Sequence, residues 1–498
     1  MLLFLVLLTA VVILTYIYVN RKYNERYWKR RGVKYFAESK TFGIFWDYIV
    51  KNRPMFELFS DIYKKYADEP AVGMASFSAP NLFVRDLTNV QHVLHLDFKS
   101  FSHRGIDVAE EDKLADSILF MNGKRWKLMR QSMTPLFTAA KLKNMYYIMD
   151  RSGLDFVDYL NKHPEKLNGN IFDTLTTFCC AAIVASIFGI GTESIFDSPF
   201  LTTARTALAP TFWSNFKFSL SSISPTLFKA LKLKLFGEHE DFFISVIKQV
   251  IRQREKENVK KHDFADICVS LQKQGILYDL ETEYELKPTD ELMAAQAFFF
   301  LVAGVDPSAS AMFASLLELG RNPEIMKRVH DEIDHVFEKT NGKLTYDAVN
   351  EMEYLEKVVN EGMRKYPPVG FLSRRCVEDT VLPVGNIKVD KGTNVYTPVY
   401  DIHRDPTYYP EPDVFDPERF NNKTLPITYM AFGKGNRLCI GSRFSRLQIK
   451  TGLVHMLRYF TPRTKINGKE IIYKKLSFQV RPDNVDVKLL PGINKNSS

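Results

Sequence analysis

The sequence predicts a mainly α-helical fold with small β-sheets, arranged as a single large domain behind an N-terminal transmembrane helix. Three observations predict it. The chain opens on an uncharged apolar segment, long stretches of helical periodicity are broken only by short strand signals, and no Pro-, Gly- or Ser-rich linker or internal repeat follows.

Leu2 to Val19 carries no charge and is mostly Leu, Val and Ile. At 1.5 Å per residue this segment reaches about 27 Å of the roughly 30 Å hydrocarbon core. A cleaved signal would begin with basic residues, and none precedes Leu2, so residues 1–20 read as a retained signal anchor. Arg21, Lys22, Arg26, Lys29, Arg30 and Arg31 follow at once, which places that flank and the body on the cytosolic side. Residues 21–53 read as a basic juxtamembrane linker without proline, and residues 54–498 as one catalytic domain.

Helical periodicity runs through Lys124–Gln131, Asp241–Arg254, Glu291–Leu319 and Tyr354–Tyr366, and strand signals fall at Asn81–Arg85, Val381–Val399 and Phe478–Leu490. With 45% hydrophobic and 25% charged residues, the composition excludes a disordered or fibrous chain. The net charge of +9 admits an anionic membrane or an acidic protein partner; no nucleic-acid motif accompanies it. Cys179, Cys180, Cys268, Cys376 and Cys439 are odd in number and scattered, which excludes a disulfide framework and a zinc site.

The strongest chemical signal is Phe432-Gly433-Lys434-Gly435-Asn436-Arg437-Leu438-Cys439-Ile440-Gly441. A thiolate that binds iron needs a sharply bent loop, with backbone N–H groups turned to sulfur and room for a flat cofactor, and Gly435 and Gly441 permit such bends. Arg437 can pair with an acidic cofactor edge and Phe432 can shield the sulfur. The segment resembles the haem-ligand motif of the cytochrome P450 superfamily, Phe-x-x-Gly-x-Arg-x-Cys-x-Gly, at every fixed position. The resemblance extends from about Phe36 to Leu490. It implies the P450 fold, a single haem-binding domain, haem b as cofactor and Cys439 as the metal ligand, whose thiolate favours O–O cleavage.

The same resemblance organises several other residues. Glu361 and Arg364, one helical turn apart, join Arg419 of Pro417-Glu-Arg-Phe420 in a buried charged cluster that holds the fold. Trp126 and Arg130, four apart on a helix, hold a haem propionate, with Arg104 and Arg374 as further propionate partners and Arg375 as the competitor of Arg374. Glu291–Leu319 is apolar nearly all round and capped by Thr289 and Asp290. It resembles the long distal helix of the family, but reads Ala303-Gly304-Val305-Asp306-Pro307-Ser308, with proline where the family has a hydroxyl that steers protons. Pro307 leaves the Ala303 carbonyl without its helical donor and predicts a kink, so Asp306 and Ser308 are the expected catalytic relay.

Lys124, Arg125, Lys127, Lys434, Arg443, Arg446 and Lys450 are expected to gather on the cysteine side as a docking face for an acidic electron donor. By resemblance this donor is the NADPH–cytochrome P450 reductase, with cytochrome b5 as a second candidate. The anchor, Tyr27-Trp-Lys-Arg-Arg-Gly-Val33 and Phe101–Lys113 look most like the insect microsomal members that oxidise foreign compounds. The implied function is insertion of one oxygen atom from dioxygen into a lipophilic small molecule: a xenobiotic, plant toxin, insecticide or fatty acid. The implied place is the cytosolic face of the endoplasmic reticulum membrane. The alternatives are a reductase-independent hydroperoxide isomerase or dehydratase, favoured by Pro307, and a haem protein that only sequesters ligands. Expected pocket walls are residues 105–119, 196–236, 298–303, 369–373 and 481–485.

Overall fold

The computed structural model describes residues 2–38, 43–75, 79–188, 211–257, 263–422, 424–475 and 477–492, together with 196, 201–202, 206 and 260–261. Helix α1 (Leu2–Lys29) leads into strand β1 (Lys34–Phe36), and α2 (Ile44–Lys51) and α3 (Met55–Lys65) follow. Strands β2 (Ala71–Met74) and β3 (Asn81–Val84) pair antiparallel. The helical half then comprises α4 (Gly123–Met133), α5 (Ala139–Lys162), α6 (Ile171–Phe188), α7 (Phe212–Ile223) and α8 (Glu240–Glu257). A hairpin of β4 (Leu277–Asp279) and β5 (Tyr284–Leu286) precedes the longest helix, α9 (Asp290–Leu319). Helices α10 (Pro323–Lys339) and α11 (Glu353–Lys365) lead to β6 (Leu372–Arg375), β7 (Thr380–Leu382), β8 (Ile387–Val389) and β9 (Asn394–Thr397). Helix α12 (Ser442–Tyr459) and the hairpin of β10 (Phe460–Ile466) with β11 (Val485–Pro491) close the fold.

Two apolar clusters build the core. The larger surrounds α9, which packs on α6, α8, α11 and α12 and is buried along almost its whole length. Helix α9 is long and apolar enough to cross a membrane, yet most of that stretch is buried in protein, so it is the core helix. Thr289 caps it by accepting the Leu292 N–H at 3.2 Å. The helical span runs without interruption through Pro307. The buried Gln296 side chain ties it to the loop above, accepting the Ile118 N–H and donating to the Asp116 carbonyl, each at 2.9 Å.

The smaller cluster lies on a five-stranded sheet in the order β1-β2-β3-β9-β6. Residues 21–53, expected as a linker, contribute structure to it: α1 extends to Lys29 and β1 pairs parallel with β2. Trp28 is fully buried over Gly73, where an added Cβ would lie 2.2 Å from the indole. Tyr27 donates to Asp390 at 2.8 Å, and Arg31 pairs with the same carboxylate. The stretch 381–399 resolves into three strands, because Gly385 and Gly392 turn the chain at φ 82° and 93°. The last strand is shorter than the pattern predicts, beginning at Val485.

Candidate active site

The cysteine loop is built by backbone geometry. Gly433 and Gly435 hold φ of 79° and 68°, a region that favours glycine, whereas Gly441 sits at an ordinary −87°. A Cβ on Gly435 would lie 2.2 Å from the Leu94 carbonyl, so no other residue fits that close approach. Cys439 donates its N–H to the Phe432 carbonyl at 2.9 Å, closing the loop, and Gly441 caps the start of α12. The Cys439 sulfur receives the Gly441 N–H and the field of Arg104 and Arg130, which favour the thiolate, while burial pushes the thiol up. The surface that Cys439 exposes opens into an internal cavity rather than onto bulk water.

That cavity holds about 420 Å³, within the roughly 300–1,000 Å³ of small-molecule and cofactor sites. Cys439, Phe432 and Ile440 line one side, and Val302, Ala303 and Pro307 of α9 line the other. Four arginines bear on it. Arg104 donates to the Arg437 carbonyl at 3.1 Å and Arg130 to the Leu438 carbonyl at 2.9 Å, so both clamp the cysteine loop. Arg437 engages all three of its nitrogens, with the Ser102 carbonyl at 3.0 Å, the Met121 carbonyl at 3.0 Å and Asn122 Oδ1 at 3.1 Å, and lies 4.0 Å over the Trp126 ring. Arg374 is 2% exposed and donates only to the neighbouring Ser373 carbonyl.

Burial first, and then their mutual repulsion, pushes these cations down: Arg437 to about 8, Arg374 to about 9 and Arg104 to about 10. A guanidinium does not give up its proton in a protein, so the depression measures how strongly this site wants an anion. The Nε atoms of Arg104 and Arg374 are buried without a partner, which points to an acidic group between them. A flat cofactor with two carboxylates and a metal that takes a thiolate would fit this donor set, and haem is such a group. Arg374 and Arg375 are separated by geometry: Arg374 lines the cavity, while Arg375 is engaged elsewhere by Asn394, Asp107 and the Gly105 carbonyl.

Behind the loop, the expected charged cluster is assembled. Arg364 and Glu361 are both fully buried and joined by two bonds of 2.6 and 2.8 Å; Arg419 approaches Glu361 at 3.4 Å, and the Asp416 N–H adds a bond of 3.0 Å. Arg364 continues to the His403 and Pro412 carbonyls, each at 2.8 Å.

Asp306 lines the cavity and is 9% exposed; burial raises its carboxyl, opposed by Arg481 and Lys474. Ser308 is not part of the lining: its hydroxyl lies 3.1 Å from that of Ser445 on α12, which does line the cavity, and no hydrogen bond joins Ser308 to Asp306 among the described residues. Gln479 and Ile183, which sequence reasoning missed, line the cavity. Of the expected walls, 105–119, 298–303 and 369–373 contribute lining residues, whereas 481–485 and the 211–236 part of 196–236 do not; most of 196–210 lies outside the described residues.

The expected basic face is largely neutralised within the chain. Arg125 pairs with Asp116, Lys127 with Asp279 and Glu281, and both Arg446 and the buried Lys450 with Glu356.

A long core helix facing a thiol loop across an arginine-ringed cavity defines the class as one built to hold a planar anionic cofactor through sulfur. The cytochrome P450 family model matches residues 39–489, and the chain belongs to that family. It is 32% identical to cytochrome P450 6B7 of Helicoverpa armigera, over 98% of this chain and 97% of that protein. It is also 32% identical to cytochrome P450 6k1 of Blattella germanica, over 92% and 90%, and to probable cytochrome P450 6a13 of Drosophila melanogaster, over 92% of each. The protein is accordingly a haem b monooxygenase that acts on a lipophilic small molecule with electrons from a redox partner.

Proposed function

We propose that this chain is a membrane-anchored monooxygenase that draws electrons from NADPH through the cytochrome P450 reductase and inserts one oxygen atom into a foreign compound, such as a plant toxin or insecticide, or into a fatty acid. One observation carries the reading: a single cavity joins the Cys439 thiol and unpartnered arginine donors to an apolar chamber walled by Phe137, Phe264, Phe299 and Phe300. Cys439 would ligate the iron, Phe432 would shield its sulfur, and Arg104, Arg130 and Arg374 would hold the carboxylates. Arg437, stacked on Trp126, fixes the loop and lends its field. Haem, when bound, supplies the iron at which dioxygen is reduced. The phenyl-lined part of the cavity favours apolar substrates through burial, at about 25 cal/mol per Å².

The membrane setting is supported by α1 and by a second apolar surface. Trp46 and Val50 of α2 and Phe212 and Trp213 of α7 are exposed on two helices that pack together. The reductase docks on the cysteine side, where Lys124, Lys434 and Arg443 remain outside the ion pairs that neutralise their neighbours.

The test is a substrate screen with the full chain and reductase in vesicles. Product that requires both NADPH and reductase supports the reading; conversion of a hydroperoxide without reductase, and no other turnover, would refute it. Deleting residues 1–20 is expected to weaken vesicle binding and to leave haem content unchanged. Haem loss on deletion would refute the separation of anchor and body.

A further inference from the structure

Oxygen insertion consumes protons as well as electrons, and the helix that would deliver them has no hydroxyl at the usual place. Pro307 puts an apolar ring on the cavity wall, and the Ser308 hydroxyl is turned to Ser445. The Asp306 carboxyl has other company. Gln479 Nε2 donates to Asp306 Oδ2, and Gln479 lines the same cavity. Arg481 Nη1 lies 3.8 Å from Asp306 Oδ1, with its guanidinium 4.0 Å over the Phe172 ring.

Gln479 is not a loose surface amide. Its turn is fixed by the buried Ser477, whose hydroxyl accepts the Gln479 N–H at 3.0 Å and donates to the Gln479 carbonyl at 3.1 Å. The segment carrying it folds back on itself, with the Lys474 N–H bonded to the Arg481 carbonyl at 2.8 Å. The turn thus places Gln479 on the cavity side of the carboxyl and Arg481 and Lys474 among the cations whose fields reach it. Asp483, two residues beyond Arg481, and Asp173 and Cys179 of α6 are further titratable groups whose fields reach this corner.

We propose that Gln479 is a positioning residue for proton supply: its side-chain amide holds the Asp306 carboxyl at the cavity wall, in the role left open by Pro307. The inference deepens the monooxygenase reading and rests on it. In each transfer the Asp306 O–H bond breaks as a cavity water takes the proton. The carboxylate, held by Gln479 and Arg481, then regains a proton from solvent water, so one proton enters from bulk for each one delivered. Burial helps by keeping the carboxyl protonated to higher pH than it would be in water. The amide carries no proton itself; it fixes the distance and direction of transfer.

The experiment uses the full-length holoenzyme with Gln479→Leu, Gln479→Glu and Asp306→Asn. The wild-type minus Asp306→Asn infrared difference isolates the Asp306 carboxyl band without turnover. Gln479→Leu should shift that band while retaining haem and the reduced carbon monoxide spectrum. With NADPH and reductase it should lower product per NADPH by about tenfold, with peroxide making up the difference. Gln479→Glu should stay coupled at low pH, where the new carboxyl can still donate, and uncouple as pH rises and two carboxylates face each other beside Arg481 and Lys474. An unmoved carboxyl band in Gln479→Leu would overturn the contact, and a moved band with unchanged coupling would overturn the role. If Gln479→Leu loses haem, the pH profile of Gln479→Glu decides, and a flat profile overturns the proposal. Absence of NADPH-dependent product in the wild type would instead refute the monooxygenase reading, leaving the infrared result to stand on its own.

Discussion

Two groups of arginines, the Arg364 cluster and the cavity arginines, are solved in opposite ways. Arg364 is fully enclosed but meets Glu361 twice and two backbone carbonyls besides, so the charge is matched within the chain. Arg104, Arg130, Arg374 and Arg437 face one another with no carboxylate among their hydrogen-bond partners, and two of their Nε atoms have no acceptor. A buried charge that is matched holds a fold together; one that is unmatched is an appetite for a ligand. The first group is complete before cofactor arrives, and the second is completed by it.

The largest effect should come from breaking the matched group. Arg364→Leu leaves Glu361 buried with only the 3.4 Å ion pair to Arg419 and one backbone N–H, which should cost about 3–5 kcal/mol. Soluble haem protein should fall below detection in an expression test, whatever the haem supply. Full yield of folded apoprotein would break the comparison.

Arg374→Leu should act in the opposite sense on the two forms. Without haem it removes an uncompensated buried cation and should raise the unfolding midpoint. With haem it removes a charge-assisted bond, and about 1.5–3 kcal/mol of affinity, roughly ten- to a hundredfold in haem dissociation, should be lost. Calorimetry of apo and holo forms checks both signs. A fall in both midpoints would place Arg374 with the structural group.

The most gradual effect is a pH slope beside Arg364. His403 accepts the Met430 N–H at 2.8 Å and is kept neutral by burial and by Arg364, which push it down to about 3. Because the folded value is depressed, its contribution is present above about 6.5 and is lost as pH falls toward 3, by at most about 1.4 kcal/mol per unit. Asp401 runs the other way: burial raises it to about 7, so stability from that group increases as pH falls below 7. The whole-protein curve mixes the two. The difference between wild type and His403→Gln isolates the first, and it should shrink on acidification from pH 6.5 to 4. A constant difference would contradict a neutral His403.

The comparison also marks where sequence stops being informative. The thiol loop, the Glu361–Arg364 turn and the Trp126–Arg130 turn are local patterns, and each appears in the structure where its spacing puts it. Helix α9 was readable because thirty residues of apolar periodicity and a Thr289 cap agree. What spacing does not carry is partnership across long separations. Four of the seven basic residues expected on one docking face are paired with Asp116, Asp279, Glu281 and Glu356, which are ordinary surface acids when read in one dimension. Trp28 looked like a linker aromatic, and only the absence of a Cβ at Gly73 makes room for it in the body. Gln479 carries no motif, and its contact with Asp306 spans more than a hundred and seventy positions.

The central claim is that Cys439 binds the iron as a thiolate. The reduced carbon monoxide spectrum of Cys439→Ser tests it most directly, because a serine hydroxyl is a poor ligand for this iron. Wild type should show the long-wavelength Soret band of the family, and the variant should lose that band. A variant that retains haem and the same band would contradict the assignment.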